Sequence, residues 1–395
     1  MNILAINNFS IIPQQKKTSN KQGFQYRPTF GLTIAKPLSK DTVSFGQNLP
    51  TVKKLASFSR DAGIPMRDAI TAYKEASKIQ PDIQEYFIRL FKPITATKEN
   101  PKLPVDEVRG RAKGALSIWE KSRTRGWKTL DDVFINMTDL NGAKIVLRDS
   151  SNKGVQMVLD YLYKGIDAFS VILTEVEVKR PKAAQDLPKK ERGKYDYGTW
   201  DMLKNFVKDS EKSMGKKVNF PEPCLTESNY PAIHMLLKFP GQRRSVELQI
   251  MGYDVSIDKA MDDLFFKILN NKKVEDEFLP IKFLINVLQE EKNAEYLEKM
   301  NKYRGESFLF QREKEPMFNE NRGEEYFLPL RYNIPYQEIL PEKFYKKLVE
   351  DYGIVGNPYD FNNLYKIYKV CRAKADIARE KLLEEKASKK AKKTK

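Results

Sequence analysis

The chain has 395 residues, 41% hydrophobic and 31% charged, enough to build a core for one large domain or two. A formal net charge of +17 favours polyanionic partners such as nucleotides, RNA or an acidic surface, without choosing among them. Two cysteines and one histidine exclude a disulfide scaffold, a Cys/His zinc site and a multi-histidine phosphohydrolase centre.

Residues 1–48, rich in Asn, Gln, Ser, Thr and Pro and without a sustained period, read as a disordered arm. Residues 51–99 read as helical. Pro65 suits a helix start, Ile70, Tyr73 and Ile79 give the apolar face, and Pro81 is expected to break the run before Ile83–Phe91. No stretch of 18 apolar residues occurs, so no membrane span and no membrane partner are expected, and the cysteine usage fits a cytoplasmic protein.

Residues 100–265, opened by Pro101 and Pro104, alternate strand and helix patterns. In the segment from Val108 to Lys121, a strand would point Arg111 and Lys113 to one face. A following helix would stand Ser117 and Lys121 one turn apart, beside an N-terminus that favours anions. Three cations and a hydroxyl round a helix start suit a triphosphate, although an exposed basic strand and helix would share the pattern. Next, Asp139 heads the apolar run Ala143–Leu147, a place for a carboxylate that carries a divalent metal or simply makes a turn.

Residues 182–227, rich in Lys and Glu and holding Pro188, Pro221 and Pro223, are too long for an ordinary loop and predict a lid or an inserted helix. Beyond them Ala232–Leu237 and Ser245–Ile250 flank Pro240-Gly241 and predict a hairpin. In its second strand Val246, Leu248 and Ile250 face one way, and Glu247 and Gln249 the other. Tyr230 precedes the first strand, free to stack on a base or to cap the core. Residues 266–385 turn helical again, with a looser stretch at 310–340, and 386–395 read as a basic, solvated tail.

Taken in order, these segments resemble the synthetase domain of the RelA/SpoT family. That family shows R-x-K-x-x-x-S-I-x-x-K, then D-x-x-x-x-R-I, then G-Y-x-S-L-H, then E-x-Q-I. The counterparts are Arg111, Lys113, Ser117, Ile118 and Lys121; Asp139, Lys144 and Ile145; Tyr230, Ile233 and His234; and Glu247, Gln249 and Ile250. Departures gather on the second half. Lys144 replaces an arginine, Asn229 a glycine and Ala232 a serine, and Met251-Gly252 stands where Arg-Thr usually follows.

The resemblance implies an α+β fold, a mixed sheet flanked by helices and related to nucleotidyltransferases. It also implies a pyrophosphokinase that moves the β,γ-pyrophosphate of ATP onto a ribose 3′-hydroxyl, most simply of GDP or GTP, to make (p)ppGpp. Arg111, Lys113, Ser117 and Lys121 would bind ATP, and Asp139 would bind Mg²⁺. Glu247 would complete the metal site or take the hydroxyl proton. Tyr230, His234, Gln249 and Lys144 would line the acceptor side, and a homo-oligomer is compatible with this. Two other readings stay open: a toxin-like relative acting on the 3′ end of tRNA, and a non-catalytic nucleotide- or RNA-binding module. Retention of Asp139 and Glu247 speaks against the last.

Overall fold

A computed structural model describes residues 63–314, apart from 227, 241 and 243, and residues 333–393. The arm expected at 1–48 lies outside the described residues. Among these, six strands form one mixed sheet in the order β1-β2-β6-β5-β3-β4. They are β1 (Val105–Ala112), β2 (Asn141–Leu147), β3 (Ile172–Pro181), β4 (Cys224–Thr226), β5 (Ala232–Lys238) and β6 (Ser245–Gly252). β2 runs parallel to β6, and β3 to β4; the other neighbours are antiparallel. The expected hairpin is β5–β6, closed by a turn in which Gln242 N–H donates to the Phe239 carbonyl.

Side chains alternate along each strand, so the register sorts them into two faces. One face carries Ala143, Ile145, Ile233, Met235, Leu248 and Ile250, all in the main hydrophobic core. That core is closed by helix α1 (Met66–Phe91) through Ile83 and Phe87 and by α4 (Asn152–Asp167) through Val155, Val158, Leu159 and Leu162. The opposite face is polar, with two rungs side by side. Arg111 pairs across to Gly142 and on to Glu247, and Arg109 pairs to Lys144, then Gln249, then His234.

Helix α1 departs from expectation twice. It runs unbroken through Pro81. Its buried stripe is Ala69, Ala72, Ala76, Gln80, Ile83 and Phe87, while Ile70 is exposed. The small residues let α1 approach α2 (Ala115–Arg125) and α3 (Leu130–Asn136), where Ile118, Val133, Met137 and Leu140 form a second core. Tertiary anchoring on both sides of Pro81 outweighs the helix hydrogen bond that it lacks. The same helix grips the start of β2. Asn141 Nδ2 donates to the Ala76 carbonyl at 2.9 Å and to Gln80 Oε1 at 2.8 Å, and Gln80 Nε2 donates to the Gly142 carbonyl at 3.0 Å. Gln80→Leu leaves Asn141 and Gly142 short of partners in a dry place. We expect a loss of about 1–3 kcal/mol in denaturant unfolding, and no loss would mean that α1 does not set the strand.

The interruption at 182–227 holds an inserted helix, α5 (Trp200–Met214), together with the short edge strand β4. After β6 come α6 (Tyr253–Leu269), α7 (Leu279–Gln289), α8 (Ala294–Lys314), a short α9 (Tyr336–Ile339), α10 (Glu342–Tyr352) and α11 (Phe361–Lys393). α11 carries the stretch read as a tail in helical form to Lys393. These helices share a separate core that includes Phe265, Leu284, Tyr303, Tyr359 and Ile367. No described helix is long and apolar enough to cross a membrane.

Candidate functional site

The strand-to-helix turn places the cations first. Arg111 is next to last on β1, Lys113 sits in the turn, and α2 begins at Ala115 with no side chain capping its N-terminus. Lys113 N–H donates to the Leu140 carbonyl at 2.9 Å, which ties this turn to the one before β2. Met137 and Leu140 are buried in the α1–α2–α3 core, so Asp139 between them has little freedom. Its Oδ2 accepts from Lys113 Nζ at 2.6 Å and its Oδ1 from Lys121 Nζ at 2.8 Å. Burial alone would raise the Asp139 carboxyl; the two ammonium groups overcome it and hold the group far below the usual carboxylate range. Burial pushes Lys113 down from its ordinary value, and Asp139 opposes that shift. Ser117 is half-buried one turn before Lys121 on α2.

Glu247 lies on the neighbouring parallel strand, opposite Gly142. Its Oε1 is 3.3 Å from His234 Nδ1, and its Oε2 accepts from Gln249 Nε2 at 3.0 Å. Burial again raises the carboxyl, and the contact with His234 more than reverses it, so Glu247 stays below its ordinary value. The Asp139 charge pushes against Glu247 and the Arg111 charge favours it, which puts all three in one electrostatic neighbourhood. β2 and β6 come close at Gly142: a Cβ there would meet the Glu247 backbone carbonyl oxygen at 3.3 Å and the Arg111 side chain at 4.0 Å. Lys144 is half-buried on the next rung. Burial and the neighbouring cations Arg109, Arg111 and Lys259 push its ammonium down to about 8, against the pull of Asp263.

The open stacking face expected of Tyr230 is absent. The ring is 4% exposed, its hydroxyl points at Met251 Sδ 3.4 Å away, and Phe308 of α8 meets it edge to face with centroids 5.7 Å apart. Residues just ahead of a strand are often solvent-facing, but here α8 lies on top, and a helix from beyond residue 290 could not be read from the local pattern. The departures of this segment have physical reasons. Asn229 has φ +57°, a left-handed conformation that Asn tolerates better than most residues, and its Oδ1 accepts from Ala183 N–H at 2.9 Å. Met251 is fully buried against Tyr230, a place that would desolvate an arginine, and Gly252 N–H donates to Tyr197 Oη at 2.8 Å.

Sequence reasoning read helix beyond residue 258 but missed the buried charges of α6. Asp254, Asp258, Lys259, Asp262 and Asp263 are all buried on it. Lys259 Nζ reaches Asp262 at 3.0 Å and Asp263 at 2.8 Å, and lies 5.4 Å from the Tyr230 ring centroid. The available signal was the spacing of Asp254, Asp258 and Asp262, four residues apart and so on one face of the helix. Asp258 hydrogen-bonds Ser307 Oγ, and burial raises it from 3.8 to about 8, with Asp254 adding to the rise and Ser307 and Arg304 opposing it. The folded chain therefore keeps a proton here that the unfolded chain releases, so this group costs stability progressively as pH rises from about 4 to about 8. Asp258→Asn removes that slope. Thermal melts at pH 5 and pH 8 should lie closer together in the variant than in the parent, and an unchanged gap would refute the protonated Asp258.

Among the described residues, no group of three or more His, Cys, Asp or Glu is placed to hold a metal ion by itself. Asp139 and Glu247 offer two hard oxygen donors. That fits Mg²⁺, which commonly takes one or two protein carboxylates and completes its shell with water and substrate phosphates.

No protein-family model matches the sequence, and no curated protein does. Solved structures are similar to it. The small alarmone synthetase 1 of Bacillus subtilis, bound to its product pppGpp, is 16% identical, with a TM-score of 0.30 over 61% of this chain and 96% of that one. A GTP pyrophosphokinase family protein of Streptococcus pneumoniae is 16% identical, with a TM-score of 0.31 over 64% of this chain and 96% of that one. The small alarmone synthetase 2 of B. subtilis is 15% identical, with a TM-score of 0.30 over 60% of this chain and 94% of that one.

Proposed function

We propose that the chain is an ATP:nucleotide 3′-pyrophosphokinase whose acceptor is GDP or GTP. The observation that carries the reading is that Asp139, in the turn that leads into β2, and Glu247, on the adjacent strand β6, come from distant segments yet feel each other's charge beside Arg111, with Lys113 and Lys121 clamped on Asp139. The reaction asks for that set. The acceptor 3′-oxygen attacks the β-phosphorus of ATP, the bond from that phosphorus to the α-phosphate oxygen breaks, and AMP leaves. Charge neutralisation and in-line placement do most of the work in such a transfer.

Lys113 and Lys121, with Arg111 and the uncapped first turn of α2, would take the triphosphate, and Ser117 would add a hydroxyl to the same helix face. Asp139 and Glu247 would hold Mg²⁺, which when bound would neutralise phosphate charge. Glu247 is ionised at neutral pH and held by His234 and Gln249, so it is also suited to accept the proton of the 3′-hydroxyl. Lys144 keeps a cation, without the planar fork of an arginine, on the acceptor side.

Incubation with γ-labelled ATP and GDP, GTP or bulk tRNA tests the reading. Label should move to a guanine nucleotide; label in none of the three sinks it. Transfer to tRNA is the second reading, favoured by exposed Lys189, Lys190, Arg192 and Lys216 on the inserted segment. Lys194 and Lys217, also exposed there, already face Glu313 and Glu211. For tRNA, binding should weaken with salt at a log–log slope of roughly −0.7 per phosphate contacted. A GDP-like shallow slope would discard it.

A further inference from the structure

Helix α8 lies across the side of the site assigned to the acceptor. Arg304, Gly305, Phe308 and Arg312 follow the i, i+1, i+4, i+8 spacing of one helical face. Arg304 pairs with Asp262 of α6. A Cβ on Gly305 would come within 2.9 Å of Asn229 Nδ2. Phe308 covers Tyr230. Arg312 donates to the carbonyls of Tyr195 at 3.1 Å and Asp196 at 2.7 Å, and lies 4.3 Å from the Tyr197 ring centroid. Thus one helix fastens three separate segments, and with it in place no base can reach the Tyr230 ring.

The inward face of α8 is not that of an ordinary core helix. Ser307, Gln311 and Arg312 are all buried on it, and Gln311 Oε1 has no hydrogen-bond partner. Phe308 alone of its side chains joins the core of the main sheet, whereas Met300 and Tyr303 belong to the core of the C-terminal helices. Ion pairs and hydrogen bonds to carbonyls are exchangeable for water, so such a face can part from the sheet more readily than an apolar stripe. We propose that α8 is a lid on the acceptor subsite: it parts from the sheet and from the Asp258–Asp262 face of α6, and Phe308 occupies the place on Tyr230 that the acceptor base takes. The proposal rests on the pyrophosphokinase reading for the identity of what enters, and on the packing alone for the opening.

Two measurements separate these. Ser307→Cys puts a nearly isosteric thiol on the inward face, and native Cys371, fully buried within the C-terminal helices, is the reference for global unfolding. Under native conditions a thiol reagent, read by peptide mass, should modify position 307 at least about tenfold faster than Cys371. Equal rates at the two positions overturn the lid. Arg312→Ala should lower half-saturation by GDP about fivefold and leave that for ATP unchanged; an unchanged GDP value also overturns it. If position 307 opens but neither the parent nor Arg312→Ala moves label from ATP to GDP, GTP or tRNA, the pyrophosphokinase reading falls and the lid stands.

Discussion

Asp139→Asn is expected to lower kcat on the order of 10³-fold, since it removes a charged oxygen from the place where phosphate charge is gathered. It should also cost the fold about 3 kcal/mol, because Lys113 is left buried beside a neutral amide. The sign follows from the carboxyl's depressed value. Its contribution to stability is present above 3.8 and is lost as pH falls towards the folded value, so parent and variant should converge in acid. Adding Lys113→Met should recover much of the stability and none of the turnover. If the double variant regained turnover, Asp139 would be a structural counter-ion and not part of the chemistry.

Glu247→Gln should lower kcat by about 10²- to 10⁴-fold, the range for loss of a positioned general base, with a smaller change in half-saturation by ATP. The amide can keep a hydrogen bond to Gln249 and loses the charge facing His234. Initial rates at saturating ATP and GDP would read it. A variant that keeps its rate but loses ATP affinity would place Glu247 on the donor side only.

What the amino-acid order makes legible is local. Asp139 before an apolar run, Glu247 and Gln249 alternating with Val246, Leu248 and Ile250, and the hairpin round Pro240 depend on neighbours within about ten residues, and the structure has each of them. The register that sets Glu247 beside Gly142 is not local, nor is the closing of both lysines on one carboxylate; these follow from which strands meet in the sheet. Tyr230 and Pro81 mislead for one reason. Their surroundings are supplied by Phe308 and by Asn141, residues far along the chain.

The parallel pairing of β2 with β6 has a further consequence, for synthesis of the chain. Asp139 has left the ribosome long before Glu247 is made, and β2 can then pair only with β1. Closing a loop of about a hundred residues is entropically slow, and a parallel partner cannot be supplied by a short turn. A nascent chain halted before residue 245 should therefore carry the lysine-clamped Asp139 without its second carboxylate. It would hold half a site, with an unpaired strand edge exposed, until β6 emerges and the two halves are joined in one step.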